Sequence, residues 1–111
     1  MKRFKRDYKR LVISEDVAWT AFSNRTIMLY SPKNVRESFF LELDQSGTTI
    51  WKIIAKYSPT FEELISIARK KFKNIGDNKF EKDVLKFLND LKKKVVIIES
   101  GKKRVSKETH F

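Results

Sequence analysis

The hydrophobic pattern changes period once, at Asp44, and this one change divides the chain into a strand-rich half and a helical half. Before it, Val17–Phe22 and Thr26–Tyr30 are rich in β-branched and aromatic residues. Ser23-Asn24-Arg25 lies between them, and because Asn24 tolerates positive φ the segment predicts a hairpin. Leu11–Ile13 is a shorter apolar run, expected to pair with the same sheet. Ser31-Pro32-Lys33-Asn34 reads as a type I turn with proline in second place. A third strand follows, Glu37–Leu43. Alternation puts Phe39, Leu41 and Leu43 on its core face and Ser38, Phe40 and Glu42 on the opposite one.

From Asp44 onward the spacing is helical. Asp44 is a good N-cap for a helix to about Lys56, with Ile50, Ile53, Ile54 and Tyr57 on one face. Ser58-Pro59 ends it. Thr60 and Glu63 form the capping box of a second helix whose apolar face is Phe61, Leu64, Ile65, Ala68 and Phe72. Lys73–Asp77, containing Gly76, is a turn. A third helix is expected from about Asn78 to Lys92, burying Phe80, Val84, Phe87, Leu88 and Leu91. Val95–Ile98 is a short final strand closed by Ser100-Gly101. Ile50 and Trp51 are assigned to the core, and Trp19 to sheet packing.

Segregated strands and helices predict an α+β fold, with helices on one face of a small antiparallel sheet. The expected architecture is a three-stranded antiparallel sheet followed by a three-helix winged helix-turn-helix. A chain of 111 residues fits one domain, here residues 11–100, between a basic N-terminal tail (1–10) and a basic C-terminal tail (101–111). The tails hold most of the formal charge of +11. Residues 1–10 carry six basic groups against one acid, and residues 101–111 carry four against one. The ninety residues between them carry fifteen against twelve, so the folded part is only mildly basic.

Much chemistry is absent. Without cysteine there is no disulfide, thiolate metal site or thiol nucleophile. The longest apolar runs are about four residues, far short of the ~20 that span a bilayer, and no signal peptide follows the basic start. A cytoplasmic protein with no membrane association is the expectation. No nucleotide-binding or zinc-protease motif occurs, and three glycines cannot build a phosphate-cradling loop. The one histidine, His110, stands in the basic tail. The carboxylate pairs Glu62/Glu63 and Glu81/Asp83 fall in first helical turns, where the macrodipole accounts for them. No catalytic residues, metal ligands or cofactors are expected, and an enzyme is not.

Two motifs carry a resemblance. The first is Phe39-Phe40-Leu41-Glu42-Leu43-Asp44-Gln45-Ser46-Gly47-Thr48-Thr49-Ile50-Trp51, an apolar strand ending Leu-Asp, then x-x-Gly-x-x-Ile-Trp. The second is Lys82-Asp83-Val84-Leu85-Lys86-Phe87-Leu88-Asn89-Asp90-Leu91, an Asp-Val-x-x-Phe-Leu-x-x-Leu signature. In this order and spacing they resemble the PqqD-like family, the RiPP recognition elements, over about residues 16–98. Members often have glycine after the last helix, where this chain has Lys93-Lys94.

The resemblance implies a non-catalytic domain that binds the leader of a ribosomally made precursor peptide and presents it to a maturation enzyme such as a radical enzyme, a cyclase or a leader peptidase. It also implies the site: the leader adds to the third strand and lies between that strand and the third helix. The residues implied are Ser38, Phe40, Leu41 and Glu42 on the strand, with Lys79, Lys82, Asp83, Lys86 and Phe87 on the helix, and Val84 at its rim. Two readings of Lys79, Lys82 and Lys86 stand side by side: a stripe that meets acidic leader side chains, or a solvated helix face. The same third helix would serve a winged-helix DNA-binding protein as its recognition helix, the alternative reading. That helix offers lysines but no arginine, so nucleic acid is not favoured. An exposed strand edge also admits a strand-exchanged dimer beside the monomer.

Overall fold

Ser23 and Asn24 both adopt left-handed backbone, with φ of 52° and 62°. Two consecutive positive-φ residues make the two-residue hairpin turn whose twist matches its strands. The turn is therefore shorter than the three residues expected, and Arg25 joins the strand that follows. In the computed structural model, which describes residues 9–31, 38–72 and 76–109, the hairpin is β2 (Val17–Phe22) and β3 (Arg25–Tyr30). The other elements are β1 (Arg10–Ile13), β4 (Phe39–Leu43), α1 (Gln45–Tyr57), α2 (Phe61–Arg69), α3 (Asp77–Lys93) and β5 (Ile97–Ser100). The sheet turn expected over 31–34 falls almost wholly outside the described residues, as do Glu37 and residues 73–75.

The architecture is α+β: a three-stranded antiparallel sheet in the order β2-β3-β4, and three helices. The run Leu11–Ile13 does form a strand, but not in that sheet. It pairs with β5 in a separate two-stranded sheet, Ile13 opposite Ile97. Buried Leu11, Ile13, Val96 and Ile97 thus brace the helices.

The helix starts follow local chemistry. The Asp44 carboxylate accepts the Gly47 N–H at 2.9 Å, and the Thr60/Glu63 capping box is complete. Buried Thr26 donates its hydroxyl to Thr48 at 2.8 Å, which ties the first turn of α1 to β3. Trp51, fully buried on α1, meets Trp19 of β2 edge to face at 6.0 Å, so the inner face of the sheet closes on α1. Ile50, Leu64, Ala68, Phe80, Val84, Leu88 and Leu91 complete this core.

Two expectations need correction. Phe39 is not core: it is 47% exposed and packs beside the Tyr30 ring at 6.4 Å. It lies on the inner face, but at the end of β4 farthest from α1, where alternation fixes the face and nothing fixes the cover. The final strand begins at Ile97 rather than Val95, because α3 ends in a Schellman motif. The Val95 N–H donates to Lys92 C=O at 2.9 Å and the Val96 N–H to Leu91 C=O at 3.2 Å, with Val95 left-handed at φ 60°.

The C-terminal segment, expected as a solvated tail, is bonded to the body. The buried Ser58 hydroxyl donates to Arg104 C=O at 2.6 Å and accepts the Arg104 N–H at 2.8 Å. The Arg104 guanidinium reaches Ile13 C=O and the Glu15 carboxylate. Farther on, Ser106 accepts the Trp19 indole N–H at 2.9 Å, and its own N–H donates to Ala55 C=O.

Candidate functional site

The hydrogen-bond phase of the sheet decides which edge is open. Phe22 and Arg25 flank a two-residue turn, so they exchange both backbone bonds, and so do Thr20/Ile27 and Ala18/Leu29. The alternate residues Thr26, Met28 and Tyr30 therefore turn their N–H and C=O toward β4, where they meet Leu43, Leu41 and Phe39. By the same alternation, Phe40 and Glu42 aim their N–H and C=O away from the sheet. Among the described residues no backbone partner meets them there.

The opposite edge is occupied. The phase aims Trp19 and Ala21 outward from β2. Trp19 C=O accepts the Thr109 N–H at 2.7 Å, and the Ala21 N–H donates to the Glu108 carboxylate at 2.8 Å. Glu108 also accepts from the Thr20 hydroxyl at 2.9 Å. The C-terminal segment thus covers part of the β2 edge, and β4 is the edge of this sheet that no backbone group meets among the described residues.

Helix α3 flanks that free edge. An α-helix advances about 100° per residue, so Asp83, Phe87, Asp90 and Lys94 fall within about 60° of one another, beside the buried face of Phe80, Val84 and Leu91. Phe87 packs over Gly47, at the junction of β4 and α1. A Cβ on Gly47 would stand 3.1 Å from the Phe87 ring and 3.3 Å from Leu43 Cβ, which explains the glycine in the strand-to-helix motif. Toward the other end, Tyr30, Phe39, Phe40 and Leu41 enclose a pocket of about 270 Å³ with Lys94. Phe40, 70% exposed, stands at its mouth.

The residues expected at the site divide by geometry. Phe40 and Leu41 meet Lys94 around the pocket, while Asp83, Val84 and Phe87 line the cleft between α3 and the start of α1. Lys79 pairs with Asp83 at 3.7 Å. Glu42 extends to the outer sheet face and pairs with Arg25 at 3.1 Å. Ser38 lies within hydrogen-bond reach of Ser31. Lys82 lines a separate cleft with Phe61 of α2, and Lys86 is exposed between the two sides. Lys94 and Tyr30, which line the pocket, escaped the sequence reading. Seven residues from Phe87 to Lys94 are two helical turns, a spacing that points to Lys94 once Phe87 is taken as the rim.

Among the described residues no group of acidic or histidine side chains is placed to hold a metal ion, and no helix is long and apolar enough to cross a membrane. The arrangement offers unpaired backbone, an aromatic pocket and mixed charge, which suit an extended peptide.

Residues 26–97 match the family model described as coenzyme PQQ synthesis protein D (PqqD). The solved structure "TbiB1 in Complex with the TbiA(beta) Leader Peptide" superposes with a TM-score of 0.63 at 22% sequence identity, covering 84% of this chain and 99% of that one. At that identity the likeness is one of fold. No curated protein sequence matches.

Proposed function

The chain belongs to the PqqD family, and from that premise we propose that it binds the leader segment of a ribosomally synthesised precursor peptide by strand addition to β4, without catalysis, and presents it to a maturation enzyme. The observation that carries this reading is the outward N–H and C=O of Phe40 and Glu42, beside an aromatic pocket, on a sheet whose other edge is taken. The leader peptide held by the structural neighbour supports the same class of ligand. In this reading the three helices and the β1–β5 pair form a winged helix-turn-helix support behind the edge.

The energetics assign the parts. Four backbone hydrogen bonds at ~1 kcal/mol net contribute roughly 4 kcal/mol. Ordering a disordered peptide costs about 2–5 kcal/mol. Strand pairing thus sets register and nearly cancels, and side-chain burial supplies affinity. Filling the pocket formed by Tyr30, Phe39, Phe40 and Leu41 with one large apolar leader side chain adds about 1.5–3 kcal/mol. Asp83, Phe87 and Lys94 flank the bound strand, while Lys82, against α2, belongs to the solvated face.

The DNA-binding alternative is not favoured. The family is a different one, and α3 lacks arginine.

The test is calorimetric titration with synthetic leaders of candidate precursor peptides from the same genome, using one that the wild-type protein binds. Proline cannot donate to a ladder, and an edge tolerates it. Phe40→Pro and Glu42→Pro should each give a folded protein with leader affinity at least tenfold weaker. A folded variant that binds like the wild type contradicts strand addition at β4.

A further inference from the structure

The face of α1 turned away from the sheet and the C-terminal end of α2 enclose a cleft of about 760 Å³. Four lysines line it, Lys52, Lys56, Lys70 and Lys71, and among the described residues no carboxylate does. Some basic side chains elsewhere meet acids, as in Arg10–Glu63, Arg69–Glu81, Lys92–Glu99 and Arg104–Glu15, while exposed lysines such as Lys82 and Lys86 stand singly among the described residues. What sets the cleft apart is that it gathers four lysines around one hollow. In the cleft, among the described residues, none of the four lysines has an acid within ion-pair distance; Lys56 lies over the Tyr57 ring at 5.3 Å.

The cleft is not isolated. Ser46 and Phe72 line both it and the cleft of Asp83 and Phe87 beside α3, so the two clefts adjoin at the start of α1, where β4 ends. We propose that this lysine cleft is a second subsite for the leader peptide, taking an acidic segment that flanks the part added to β4. The inference rests on the β4 reading and names the chemistry of the neighbouring stretch.

Geometry specifies the pattern. Lys52 and Lys56 are one helical turn apart, about 6 Å along the axis. Alternate residues of an extended peptide are about 6.6 Å apart. Acidic residues at every second position therefore match lysines at every fourth. From Ser46 to Tyr57 is about 17 Å of helix, the reach of about five extended residues. Charge complementarity and continuity with the β4 groove favour this occupant over an unrelated acidic surface.

The probe is the same synthetic leader, beside a version with every Asp and Glu changed to Asn and Gln. The protein variant is Lys52→Glu/Lys56→Glu/Lys70→Glu, all at exposed or half-exposed positions. Reversal should weaken the native leader by about tenfold or more, and the loss should shrink as salt rises from 50 to about 300 mM. The neutralised leader should bind wild type and variant alike. Equal binding of the native leader to wild type and variant overturns the proposal, as does a native leader lacking acidic residues. Loss of duplex DNA binding alone in the variant overturns it too, by assigning the cleft to phosphate. Phe40→Pro separates the two readings: if it still binds the leader, the β4 reading fails and this one with it. If it loses binding while the lysine variant keeps it, only the second subsite falls.

Discussion

Val95 holds a left-handed backbone, φ 60°, that β-branched residues avoid at a cost of about 1–2 kcal/mol. It is tolerated because the Schellman bonds of Val95 and Val96 close the end of α3 there, and because Ile97 must turn into β5. Glycine is the residue this position favours. Val95→Gly should raise stability by about 1 kcal/mol, after the entropy glycine costs the folded state, since the Val95 side chain is 49% exposed and little packing is lost. A higher urea midpoint with unchanged slope would show it; a lower midpoint would mean that the side chain stabilises more than its backbone costs. The resemblance put the family's glycine at Lys93-Lys94, one residue short, because a one-dimensional pattern locates a helix end only to within a residue or two. Asp44, Thr60 and Glu63 were legible because a cap is a local event, decided within four residues.

Among the elements, β2 and β4 differ in what covers them, and the difference was not legible. The hairpin and β4 announced themselves by composition and alternation, but edge status depends on a segment about 87 residues away in sequence. Residues 101–111 read as a tail because four basic groups suggest solvation. What docks residues 104–109 is hydrogen bonding: Ser58 around Arg104, the Trp19 indole to Ser106, the Thr109 N–H to Trp19 C=O and the Ala21 N–H to Glu108. Composition does not display such bonds. Ending the chain after Lys103 should leave the buried Ser58 hydroxyl and the outward Ala21 N–H without their partners, at a cost of about 1–3 kcal/mol for each group that water does not reach. It should also give β2 an exposed edge and cause concentration-dependent self-association in size-exclusion chromatography. An unchanged melting temperature and a monomer at all concentrations would mean that the segment contributes nothing to the fold. The helical stripe of Lys79, Lys82 and Lys86 left two readings open for a related reason. Spacing groups residues by face, yet only packing says which face borders β4, and Lys82 lines a cleft with Phe61 and Leu85 on the α2 side.

At the scale of the whole molecule, the described strands, helices and C-terminal segment leave the β4 edge of the three-stranded sheet open and put a pocket beside it. The formal charge of +11 says little about this, because backbone pairing and an apolar pocket are not charge effects. The central claim is that Phe40 and Glu42 face outward and accept a peptide strand, and amide hydrogen exchange by NMR tests it most directly. In the free protein the Phe40 and Glu42 amides should exchange rapidly, while those of Leu41, bonded to β3, and Ala21, held by Glu108, are already protected. With the leader peptide bound, Phe40 and Glu42 should become protected by at least tenfold and Ala21 should not change. Phe40 and Glu42 amides that are slow before peptide is added, or that stay fast in a saturated complex, would contradict strand addition at β4.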